Sequence, residues 1–112
     1  MARGFIAQYA AEAALQAEGV ASLDSGSVTS LKEAAGLLHE GSGVRVMFQS
    51  ERDTSVTVTV YPVVFYGQMI PEVAWQIQER VKADVEKYTG LTVEAVNVHV
   101  KGVVAREAGQ TA

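Results

Sequence analysis

Val56, Val58 and Val60 alternate with Thr57, Thr59 and Tyr61, a helix-spaced stretch opened by Pro71 and closed by Gly90 follows, and Val96, Val98 and Val100 then alternate with Asn97, His99 and Lys101. A period of two marks a strand with one buried face, and a period of 3.6 marks a helix with one buried stripe. Strand, helix and strand with short connections form a βαβ unit, whose strands lie parallel with a right-handed crossover. This order limits the chain more than any other feature, because the linking helix must also cover the sheet it links.

The apolar stripe of that helix runs through Ile70, Val73, Ala74, Ile77, Val81, Val85 and Tyr88, with Glu72, Gln76, Glu79, Glu86 and Lys87 mostly elsewhere. Burying five aliphatic chains contributes on the order of 10 kcal/mol before entropy, an upper bound. The helix is therefore the main clamp on the sheet. Pro71 fits the first turn, where a missing amide costs nothing, and Gly90 suits a left-handed stop.

Upstream, Ile6, Tyr9, Ala10, Ala13 and Ala17 recur at helical spacing between Phe5 and Ala17, and Gly19 ends that helix. The small polar run ASLDSGSVTS is the most linker-like segment, and Ser30 with Glu33 fits a capping box. A short second helix around Leu31 to Leu38 is expected after it, either packed on the domain or swung out, with Gly41 or Gly43 as its stop. Val44, Val46 and Phe48 alternate with Arg45, Met47 and Gln49, giving an antiparallel partner for the valine strand after the polar turn SERDT. Pro62 cannot donate to a ladder, which predicts a sheet edge or a bulge there. The expected fold is α+β, a two-layer domain with a small mixed sheet, hairpin plus βαβ unit, covered by helices. It spans residues 1–104, with 105–112 as a short flexible tail.

At 112 residues the chain has the size of one domain. A net charge of −4 gives no broad attraction for phosphate backbones, so nucleic acid is not an expected partner. The absence of cysteine excludes disulfides, thiolate catalysis and cysteine-held zinc. Gln8 and Glu12 break the N-terminal apolar run, so it reads as a helix rather than a signal peptide. No stretch approaches the roughly 20 apolar residues of a membrane span, so direct insertion is not expected.

No catalytic or cofactor motif completes itself. Gly36 to Ser42 superficially looks like a phosphate loop but has no lysine, and His39-Glu40 begins a zinc-protease pattern whose second histidine position is Gly43. His99 lies on the polar face of its strand, where an exposed histidine is the ordinary finding. The stretch YGQMIPEVAW, Tyr66 to Trp75, offers one glycine and then bulky Gln68, Met69 and Ile70, so Gly67 permits a turn and no phosphate cradle results. The expectation is no enzyme, no cofactor and no metal. Trp75 is the residue that resists a purely structural account. It lies about 100° around the helix from Ala74 and shares a strip with Gln78, Glu79 and Lys82, either as the margin of the core or as an exposed anchor for a partner. Trp75, Gln78, Glu79, Lys82 and the Pro62 sheet edge form the candidate partner-binding set.

From Val63 to Val103 the chain closely resembles the bacterial alkaline-shock family, also called envelope stress response proteins. The resemblance rests on Tyr66-Gly67 at a strand end, Ile70-Pro71-Glu72 at a helix start, Thr89-Gly90-Leu91 in a turn and Val96 to Val100 as the closing strand. Gly19 and Val20, after the first helix, extend it over nearly the whole chain. Two features depart from the family: its short β segment ahead of that helix and the charged tails of longer members. The resemblance implies a non-enzymatic cytoplasmic protein of mainly Gram-positive bacteria, acting in cell-envelope homeostasis as an interaction or self-assembling module. Its implied partners are a small membrane-anchored protein at the inner membrane face or further copies of itself. An accessory role toward a fatty-acid or lipid enzyme is the alternative that other members imply.

Overall fold

The computed structural model describes residues 4–24, 38–41, 43–48 and 54–105. Its elements are α1 (Gly4–Leu15), β1 (Val20–Leu23), β2 (Leu38–Gly41), β3 (Val44–Phe48), β4 (Ser55–Val60), β5 (Pro62–Phe65), α2 (Ile70–Thr89), β6 (Thr92–Val98) and β7 (Gly102–Val104). The fold is α+β as expected, but it holds two sheets in place of one, ordered β2-β3-β4-β6 and β1-β5-β7.

Both sheets share a spine. β4 and β5 are one extended run broken only at Tyr61, and β6 and β7 run parallel beside them. The ladder crosses the break, with His99 N–H donating to the Val60 carbonyl at 2.9 Å and Lys101 N–H to Pro62 at 2.8 Å. On the other side the antiparallel neighbour changes from β3 to β1. Tyr61 is the pivot: its N–H donates to Gly43 at 3.0 Å and its carbonyl accepts from Asp24 at 2.8 Å. The end of β1 and the start of β3 therefore meet at Gly43. A Cβ there would lie 2.5 Å from Leu23 Cβ, and φ is +82°, so both space and backbone conformation require glycine.

The alternation read from the sequence is the alternation seen: Val44, Val46, Phe48, Val56, Val58 and Val60 are all buried. They form one core with α1 and with Val73, Ile77, Val81 and Val85 of α2. α1 buries more than its predicted stripe, because Ala7, Ala11 and Ala14 are buried beside Ile6, Ala10 and Ala13. Alanine is small enough to let the helix approach its neighbours on a wide front. Tyr88, predicted in the α2 stripe, is instead exposed and stacks on Tyr9 with ring centroids 5.5 Å apart.

Three further readings are corrected. Pro62 is fully buried in the central strand β5, so it marks no edge. It is tolerated because it sits where the ladder changes partners. Leu38, expected in a second helix, opens β2, whose pairing with β3 runs from Leu38↔Met47 to Gly41↔Val44; the remainder of that expected helix, the capping box and the residues from 106 onward lie outside the described residues. Ala21 to Leu23, read as the start of the linker-like segment, belong to β1, which pairs with β5.

Candidate functional site

The candidate surface is the solvent side of α2 together with the adjoining edge of β6. Val73, Ile77, Val81 and Val85 are buried and fix the helix rotation. Pro71 stands in its first turn, and Gly90 stops it at φ 76°, its N–H donating to the Glu86 carbonyl. Thr89 Oγ1 donates to the Val85 carbonyl at 2.6 Å and accepts from Leu91 N–H at 3.2 Å, which closes the turn into β6.

With the core stripe turned inward, Trp75 faces solvent and is 59% exposed. Glu72 and Glu79, three residues before and four after, are exposed beside it. Trp75 and Glu79 line an open groove with Gln76, Arg80, Ala83 and Asp84. The guanidinium of Arg80 is directed across to α1, donating to Gln16 Oε1 at 3.0 Å.

Gln78 and Lys82, about one and two turns on from Trp75, line an adjoining furrow against Val93 to Asn97 of β6, which Glu79 lines as well. β6 is an edge strand of its sheet. Thr92 N–H and His99 N–H both donate toward the β4 side, to Thr54 and Val60. By strand alternation Val93 and, through a register shift opposite Val56/Thr57, Val96 then turn their peptide groups outward. Each of the two has a partner from α2: Val93 N–H donates to Glu86 Oε2 at 2.8 Å, and Gln78 Nε2 donates to the Val96 carbonyl at 3.0 Å. An acceptor and a primary amide stand where a neighbouring strand's C=O and N–H would be. Open edges invite strand addition, and side chains laid over them are one way of closing them.

The structure thus divides the predicted partner set. Trp75 lines one groove, Gln78 and Lys82 line the β6 furrow, Glu79 borders both, and Pro62 is buried. Glu86, absent from the predicted set, matters for a reason sequence spacing does not reveal, since its contact with Val93 forms only across the helix-strand turn. His99 stacks on Tyr61 with centroids 5.7 Å apart, and Arg45 approaches the same ring at 5.9 Å. At the opening of α2, Gly67 makes the turn at φ 94°. The cleft there is lined by Glu18 and Glu72 beside Gln68 and Met69, carboxylates that oppose the phosphate such a loop would otherwise attract.

Among curated proteins the chain is similar to an uncharacterized protein, YqhY, of Bacillus subtilis (strain 168), 33% identical over 81% of this chain and 65% of that one. It is also similar to an uncharacterized protein, Spy1535, of Streptococcus pyogenes serotype M6, 38% identical over 85% of this chain and 70% of that one. The chain therefore spans about two thirds of the length of these relatives. Among solved structures, one titled MamM CTD H264E - Zinc form 2 superposes with a TM-score of 0.48 and 20% identity, covering 96% of this chain and 89% of that one, too slight a likeness to inform the fold or the site. Residues 1–105 match the model of the alkaline-shock protein 23 family, described as having a cell envelope-related function, and the chain belongs to that family.

Proposed function

We propose that within this cell envelope-related family the chain is a non-enzymatic interaction module, held at the inner face of the cytoplasmic membrane by a membrane-anchored protein partner. The observation that carries the reading is Trp75: a large aromatic side chain left 59% exposed on a helix whose opposite face is firmly packed. Tryptophan on a rigid surface is the residue type most enriched among the anchors of protein interfaces. No described helix is long and apolar enough to cross a membrane.

The test is mild cross-linking of the tagged chain in its native cells, followed by identification of captured proteins in membrane and soluble fractions, for the unmodified chain and for Trp75→Ala. Capture of a small integral-membrane protein that is lost in Trp75→Ala supports the reading. Capture of soluble lipid-synthesis enzymes in its place favours the accessory role, and capture unchanged by Trp75→Ala removes Trp75 from the interface.

A further inference from the structure

We infer that the α2 ridge centred on Trp75 receives a basic, Lys- or Arg-rich segment of the partner protein, one cationic side chain lying on the indole between Glu72 and Glu79. This rests on the docking reading above and adds the chemistry of the occupant. Helical spacing places Glu72 and Glu79 as neighbours of Trp75 along one ridge, and all three are exposed. Asp84 lines the same groove. Arg80, the basic residue lining that groove, is engaged with Gln16 of α1, and Lys82, two turns beyond Trp75, lines the adjoining furrow along β6. The charged neighbours of the indole along the ridge are thus two carboxylates, Glu72 and Glu79.

That composition selects among occupants. A cation over the indole face is attracted by the ring quadrupole and, at this position, by the flanking carboxylates as well. A purely apolar helix would cover Glu72 and Glu79 without giving them partners, which is unfavourable. An acidic segment or an anionic membrane surface would be repelled by the same charges. A basic segment gains both from the indole and from the two carboxylates that flank it.

Trp75 is the single tryptophan of the chain, so intrinsic emission reports on this site and no other. The experiment titrates the full chain with hexalysine and with hexaglutamate while following that emission. Hexalysine is expected to change it saturably, with affinity falling as salt is raised, and hexaglutamate to leave it unchanged. Glu72→Gln/Glu79→Gln is expected to weaken hexalysine binding about fivefold, the sum of two exposed ion pairs. Glu12→Gln/Glu94→Gln removes the same net charge at positions outside the groove and is expected to have less than about a twofold effect. Equal weakening by both double variants reduces the effect to bulk charge and overturns the inference, as does an unaltered emission. Loss of cellular capture in Trp75→Ala without any hexalysine response overturns the basic occupant alone. Capture untouched by Trp75→Ala overturns the docking reading and this inference with it.

Discussion

Removing the two α2 side chains that hold the β6 edge should both destabilise the chain and make it associate. The Val93 N–H···Oε2 contact with Glu86 is 2.8 Å, part-buried and charge-assisted. Hydrogen bonds to charged groups contribute about 1.5–3 kcal/mol, and because water reaches a bared edge group the lower part of that range applies, roughly 1.5–2 kcal/mol for Glu86→Ala. Glu86→Gln keeps an acceptor and should cost about half as much. The neutral bond from Gln78 to Val96, 3.0 Å and also part-buried, is worth about 0.5–1 kcal/mol in Gln78→Ala. The two contacts are about two turns apart on the helix and share no partner, so their effects should add to within about 0.5 kcal/mol. The double variant is then roughly 2–3 kcal/mol less stable, a fall in Tm of about 10–15 °C for a domain of this size. Urea denaturation gives the free energies, and sedimentation velocity over a range of concentrations gives the association. The double variant should form dimers or larger species at concentrations where the unmodified chain does not, and Ala95→Lys, a charge on the exposed side of β6, should suppress them. A double variant that loses less than about 0.5 kcal/mol and keeps the sedimentation profile of the unmodified chain would refute the edge-closing role.

Gly43→Ala and Gly67→Ala share a positive φ, yet a Cβ at Gly43 would meet Leu23 and one at Gly67 meets nothing within 4 Å. Both should lose about 1–2 kcal/mol from backbone strain in chemical denaturation, and Gly43→Ala about 1–3 kcal/mol more; equal losses would contradict the close approach of β1 to β3. Ile77 is fully buried at the centre of the α2 stripe, so Ile77→Val should cost about 1 kcal/mol and Ile77→Ala about 2–5 kcal/mol by the same assay. Trp75→Ala, by contrast, should shift stability by no more than about 0.5 kcal/mol, since its side chain is mostly in water; a loss as large as that of Ile77→Ala would place the indole in the core.

Much of the fold was legible because it is written in short-range periodicity. The valine alternation of β3 and β4, the α2 stripe, Pro71 and Gly90 all express which face of a single element meets water, and that depends only on neighbours within a turn or two of the chain. The site was legible only in its centre: Trp75 stood out at the margin of a stripe, but whether a margin is covered is a matter of what packs beside it. Val20 to Leu23 was missed because four residues without strong alternation become a strand only when β5 offers them a ladder.

By itself the sequence determined the βαβ frame, the buried stripe of α2 with Trp75 at its margin, the exclusion of thiol chemistry and, through its motifs, the family. The tertiary structure alone decided that Pro62 is central, that one long strand serves two sheets by changing neighbours at Tyr61, and that Gln78 and Glu86 belong to the β6 edge. The physical reason is common to these three. Each depends on hydrogen bonds between backbone groups, or between a side chain and a backbone group, far apart in the chain or across a turn, and residue type does not specify which distant peptide group comes within 3 Å.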